Sequence, residues 1–185
     1  MSRGFVKEDD SQQPPLIPPR AALPPGTPNY VTPAGLEQLR TELAALDTER
    51  AQAEANRDND TDRTHQLSLY NGRIALLTER LGSAKVVDPR AQPAKEVRFG
   101  ATVTLRTLSG GPKPDAQPGF KRQFTIVGVD DADVALGKVA CGAPIARALQ
   151  GTKLGKSVTL KLGPAEEVVE IAAIAYAPAA DPPAE

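Results

Sequence analysis

The chain is poor in the residues from which most catalytic and binding sites are built. It has one cysteine (Cys141), one histidine (His65) and no tryptophan, and aromatics make up 4% of its 185 residues. A lone cysteine rules out an internal disulfide framework and fits a reducing compartment. A lone histidine leaves His-based metal centres and Ser–His or Cys–His nucleophile pairs without support. His65 therefore reads as a solvated helix residue and Cys141 as a small buried hydrophobe. Few aromatics argue against a base-stacking platform for single-stranded nucleic acid. There is no signal-peptide core and no long apolar run, so neither secretion nor a membrane partner is expected. The net charge is −1. It divides into an acidic stretch, with seven Lys/Arg against ten Asp/Glu over 33–88, and a mildly basic one, with twelve against eight over 89–176. Neither is charged enough to make free duplex DNA the obvious partner. The expectation is a cytoplasmic monomer that binds no cofactor by itself.

What is present is a repeated leucine pattern. Leu36, Leu39, Leu43 and Leu46 recur at steps of three and four, and Leu67, Tyr70, Ile74, Leu77 and Leu81 follow the same rhythm. Two apolar stripes of this period pack on each other, and a short connection makes them antiparallel. The first helix starts at Thr32-Pro33, an N-cap oxygen followed by a residue whose missing N–H costs nothing at the first helical position. It runs to about Ala55. The second runs from about Asp62 to Leu81 and ends before Gly82-Ser83 and Asp88-Pro89. An arm of ~22 residues is about 33 Å long.

Residues 1–31 hold seven of the 18 prolines and read as an extended or disordered leader. From residue 96 the pattern turns strand-like. VRFGATVTLRTL, FKRQFTIVGV, SVTLKLG and EEVVEIAAIAY cluster β-branched residues between turn signals, and Pro144 to Gln150 reads as a short helix. The expected architecture is α+β: a leader over 1–31, a helical hairpin over 32–88, an antiparallel-sheet domain over 96–176 and a disordered tail over 177–185.

Gly151-Thr-Lys-Leu-Gly155-Lys156-Ser157 invites a phosphate-loop reading. It is one residue short of that motif, and a strand follows where a helix must begin. The stronger signal is the break between the helices, where Asp58, Asp60 and Asp62 crowd together. Such residues are ordinary turn and cap formers. They can also present two oxygens to one magnesium ion, which takes one or two protein carboxylates and fills its other positions with water or phosphate. The two roles can coexist. Arg50, Arg57 and Arg63 flank the break and are candidates for RNA phosphate contact, with an i,i+4 ion pair to Glu54 or a solvated helix face as the plainer reading.

The chain resembles the Gre family of bacterial transcript-cleavage factors. The likeness is carried by Tyr30-Val-Thr-Pro-Ala-Gly-Leu-Glu-Gln-Leu39, by Gly72 to Asp88, and by Val97 to Leu105. It continues through Phe124 to Asp133, the Pro144-Ile-Ala-Arg-Ala-Leu149 string and Val169 to Tyr176. The resemblance implies an N-terminal antiparallel coiled coil and a C-terminal domain similar to FK506-binding proteins but without isomerase activity. It implies docking on the rim of the RNA polymerase secondary channel through Pro144, Ile145, Ala146 and Arg147. The coiled coil then enters the channel, and acidic tip residues help hold a Mg2+ ion shared with the polymerase, near the 3′ end of the nascent RNA. The polymerase cleaves its own backtracked transcript, so the factor is not itself an enzyme. The family's G-D-x-x-E-N-x-x-Y tip run is absent here, and each arm is shorter by some nine residues, or roughly 13 Å. Short-armed relatives act as polymerase-binding regulators without cleavage, and this is the alternative expectation.

Overall fold

In a computed structural model, residues 15–57, 59–110, 116–161 and 166–176 are described. The helical arm and its base comprise β1 (Asn29–Val31), α1 (Pro33–Ala55), α2 (Asp60–Gly82) and β2 (Ala84–Val86). The body comprises β3 (Ala101–Ser109), β4 (Lys121–Val127), β5 (Lys138–Ala140), α3 (Pro144–Leu149), β6 (Ser157–Lys161) and β7 (Glu166–Tyr176). The protein is α+β, as the sequence pattern predicts.

The paired helices form where the apolar period places them. Thr32 Oγ1 accepts from the Gly35 N–H at 2.9 Å, closing the first turn of α1 behind Pro33. Leu39, Leu46 and Leu77 are buried along the seam, with Leu36, Leu43, Tyr70, Ile74 and Leu81 packed around them. Leu67 does not join that cluster. Both helices are 23 residues long, or about 34 Å. β1 and β2 pair in parallel, Asn29 opposite Ala84 and Val31 opposite Val86, so the chain leaves for α1 and returns from α2 at one place. Asn29 secures that return. Its buried side-chain amide donates to the Arg80 carbonyl at 2.7 Å and to Ser83 Oγ at 3.1 Å, satisfying a carbonyl in the last turn of α2.

The body is a five-stranded sheet in the order β5-β4-β3-β7-β6. β3 pairs antiparallel with β4 and β7, and β6 pairs antiparallel with β7. The expectation of an antiparallel sheet is corrected at one edge, where β5 runs parallel to β4. Residues 128–137 carry the chain back along β4 through a short 3-10 turn at Val134–Leu136, and a return of that kind sets the next strand parallel. Val97, Val103, Leu105, Phe124, Ile126, Leu160, Val169 and Ile171 fill the core, which Ala146 and Leu149 of α3 close. Residues 151–156 turn directly into β6, so no helix follows the glycine–lysine stretch.

The reading of residues 1–31 as an extended or disordered leader is also corrected at its end, over residues 29–31. Asn29–Val31 form β1, whose three residues are too few to give a strand pattern. Residues 15–28 carry no helix or strand, in keeping with an extended leader, and half of them, Ile17, Arg20 and Pro24 included, are half-buried while the rest are exposed.

Arm and body meet where β1 crosses the end of β4. The Tyr30 and Phe99 rings lie 5.7 Å apart. A Cβ on buried Gly128 would stand 2.7 Å from the Tyr30 carbonyl oxygen, closer than backbone tolerates. Gly128→Ala is expected to cost about 1–3 kcal/mol by forcing β1 away, read as a lowered midpoint in thermal unfolding.

Candidate functional site

The far end of the paired helices is polar and exposed. Asn59 is the N-cap of α2, and its Oδ1 accepts from the N–H groups of Thr61 at 3.0 Å and Asp62 at 3.3 Å. Its Nδ2 donates to Asp62 Oδ2 at 2.7 Å. Asp60 pairs with Arg63 at 2.8 Å, and its side chain remains 83% exposed. Both aspartates lie in the first turn of α2, where the positive end of the helix dipole favours them. Asp58, read together with them, lies outside the described residues. Of the flanking cations, Arg50 pairs with Asp47 at 3.1 Å and Arg63 with Asp60, both at i,i+3 spacing, while Arg57 is exposed beside the connection. The ion-pair role is thus realised for two of the three, with Asp47 and Asp60 as the partners rather than Glu54.

Among the described residues no group of three or more His, Cys, Asp or Glu side chains is arranged as a complete metal site. The tip does hold two exposed carboxylates. Asp60 and Asp62 together offer the one or two carboxylates that magnesium takes from protein, and neither is buried. One oxygen of each is engaged, by Arg63 and Asn59, so ligation would compete with those partners.

In the body, α3 presents the second set of predicted residues unevenly. Pro144 and Arg147 are exposed and Ile145 is half-buried. Ala146 is 1% exposed and belongs to the core, because a helix this short must turn one face inward to be held at all. Its side chain is therefore not a docking surface. Arg147 borders a cavity of about 280 Å³ that Tyr30, Phe99, Cys141 and Gln150 also line. Burial pushes the Cys141 thiol above its ordinary value, consistent with an inert, core-facing role.

The junction between arm and body contains charged groups that the periodicity gave no reason to single out: Arg20, Arg80, Asp130 and Asp131. The Asp131 carboxylate stands where a Gly35 Cβ would be, against the first turn of α1. Burial lifts its pKa above the ordinary carboxylate value, with Asp130 adding to the rise and Lys138 opposing it. A folded-state pKa above the unfolded one contributes stability at low pH that is lost as pH climbs from the ordinary aspartate value through the raised one. Asp131→Asn is therefore expected to be more stable than the parent at pH 7, the difference closing toward pH 3 in paired denaturant titrations.

The comparisons with known proteins bear on this arrangement. The family described as "Transcription elongation factor, GreA/GreB, C-term" matches residues 92–176. A transcription elongation factor GreA of Alkalilimnicola ehrlichii is 37% identical over 160 residues, covering 79% of this chain and 96% of the relative. The chain belongs to the GreA/GreB family. A transcription elongation factor GreB of Neisseria meningitidis is 34% identical over 164 residues, covering 81% of this chain and 95% of the relative. A solved GreA/GreB structure from Nitrosomonas europaea is 23% identical, covers 80% of this chain and 98% of its own, and superposes with a TM-score of 0.38. The family assignment rests on the sequence relatives. As a GreA/GreB member the chain is an accessory factor rather than an enzyme in its own right. No helix among the described residues is long and apolar enough to cross a membrane.

Proposed function

We propose that this protein binds RNA polymerase at the rim of the secondary channel through its FKBP-like body. The paired helices then pass into the channel as an antiparallel coiled coil and modulate elongation by stimulating cleavage of backtracked RNA. The observation that carries this reading is the placement of charge. Exposed Asp60 and Asp62 sit at the end of a rod about 34 Å long, away from the body that would anchor it. With Asp58 they would hold a magnesium ion jointly with the polymerase; that ion would orient water and offset charge developing on the RNA phosphate. The chain itself positions carboxylates: Asn59 fixes the start of α2 and with it the direction in which Asp62 points.

Mixing the protein with a backtracked elongation complex and magnesium is expected to shorten the RNA. Arg147→Ala, which removes an exposed cation from α3 without touching the core, is expected to weaken polymerase binding about tenfold in a competition titration. The tip should be unaffected, so cleavage at saturating factor stays at the parent level.

A second reading has its own support. The Asp60–Arg63 and Asp62–Asn59 contacts each engage one oxygen of a tip carboxylate, and the helices are only 23 residues long. On this reading the protein fills the channel without reaching the catalytic ion. It would then leave backtracked RNA intact and inhibit an active cleavage factor in the same mixture.

A further inference from the structure

We infer that Arg20 is a positioning residue: through it, residues 15–28 form a strap that sets the angle of the helical arm on the body. The path of this segment is printed on its neighbours. A Cβ on Gly72, in the middle of α2, would collide with the Ile17 side chain, so Ile17 lies directly on the helix there. Pro24 packs against Gly142, just before α3. Between these two points Arg20 joins the two parts of the molecule. Its Nη1 reaches Glu42 Oε1 of α1 at 2.8 Å. Its Nη2 and Nε donate to Asp130 Oδ1, in the turn after β4, at 2.9 and 3.2 Å.

Arg80 of α2 completes the cluster. Its Nη1 is 3.5 Å from Asp130 Oδ2, and its Nη2 donates to the Ala21 carbonyl of the strap. The Arg20 side chain is 20% exposed, and those of Asp130 and Arg80 are each 9%. The Arg80 Nη1 and Asp130 Oδ2 atoms make no hydrogen bond of good geometry, so their pairing is a charge contact at longer range.

A planar guanidinium can serve two carboxylates at once, which a lysine ammonium does less well. Without Arg20, Asp130 would keep only its longer contact to Arg80 in a largely desolvated place, an arrangement that favours separation of arm and body. The prolines at 15, 18, 19, 24, 25 and 28 suit a strap, because a chain with fixed φ loses little freedom on docking.

The test is made on the free, full-length chain. With Cys141→Ser as background, spin labels at Gln66→Cys on α2 and Lys121→Cys on β4 report the arm–body distance. The labelled parent is expected to give one narrow distribution, and adding Arg20→Ala to broaden it while far-UV ellipticity stays the same. A broad distribution in the parent, or an Arg20→Ala trace that superimposes on it, would overturn the inference. Path and positioning are checked separately by an unlabelled Ile17→Cys/Gly72→Cys pair, also in Cys141→Ser. Its two thiols are expected to cross-link on mild oxidation, and failure to do so would place the strap elsewhere.

The consequence for docking rests on the polymerase reading. If loosening lowers the competent fraction to about a third, polymerase affinity falls about threefold. Weaker binding with an unchanged arm–body distance would make Arg20 a contact residue instead of a positioning one. Failure of the parent to bind polymerase would count against the functional reading and leave the strap standing.

Discussion

Changing Asp58, Asp60 and Asp62 together to asparagine is expected to reduce stimulated RNA cleavage about a hundredfold or more, toward the polymerase's own rate. Polymerase binding is expected to stay within about twofold. Asparagine is the informative replacement because it removes charge while keeping shape. The Asn59 cap does not involve the Asp60 or Asp62 backbone carbonyls, and its contacts with the Thr61 and Asp62 N–H groups survive the substitution. What is lost at the fold is the interaction of two first-turn carboxylates with the helix dipole, about 0.3–1 kcal/mol each. The Asp60–Arg63 pair is exposed and adds little. A loss of cleavage in the variant with helicity and binding retained therefore reports on the tip itself. Unchanged cleavage would remove the three aspartates from the mechanism.

The second large effect is expected from Leu77→Ala. Leu77 is fully buried in the seam with Leu39 and Leu46, and partly buried side chains surround them. Deleting its branched end leaves a cavity between two helices that have few other buried residues to hold them, and a cost of about 2–5 kcal/mol follows. Because the body has its own core around Val103, Leu105 and Ile171, the helical signal is expected to melt at lower denaturant than the signal from the sheet. A single unshifted transition would show that the seam does not limit the stability of the arm. The functional effect follows from stiffness. A frayed rod no longer holds Asp60 and Asp62 at a set distance from Arg147, so cleavage is expected to fall while docking through α3 persists.

How far the molecule was legible in its sequence differs from part to part, for physical reasons. The helices were legible because burial along a seam imposes a period, and Leu39, Leu46 and Leu77 keep it. The start of α1 was legible because capping is local: Thr32 and Gly35 are three residues apart. The long strands β3, β4 and β7 were legible from their β-branched clusters. β1, β2 and β5 were not, since three residues cannot establish an alternation, and β1 and β2 meet across 55 residues of chain.

The tip aspartates stood out by crowding, and the structure places Asp60 and Asp62 at the exposed end of the arm, already serving as first-turn residues. Ala146 was grouped with the docking residues by resemblance, and the structure buries its side chain in the core. A matching string marks which residues belong together, not which face of a six-residue helix turns inward. The junction was the least visible part, because Arg20 meets Asp130 across 110 residues. Its one local sign was a single charge amid prolines and aliphatics, with no other charged residue between Ser11 and Thr32.

The most direct measurement is a photo-crosslink from the tip. A photoreactive side chain at Thr61, which is exposed beside Asp60 and Asp62, can be carried into a polymerase complex whose backtracked RNA is labelled at its 3′ end. Irradiation is expected to transfer the label to the factor, and Arg147→Ala is expected to reduce the yield in step with lost binding. Full occupancy of the polymerase with no label on the factor would contradict delivery of the tip to the catalytic end of the channel.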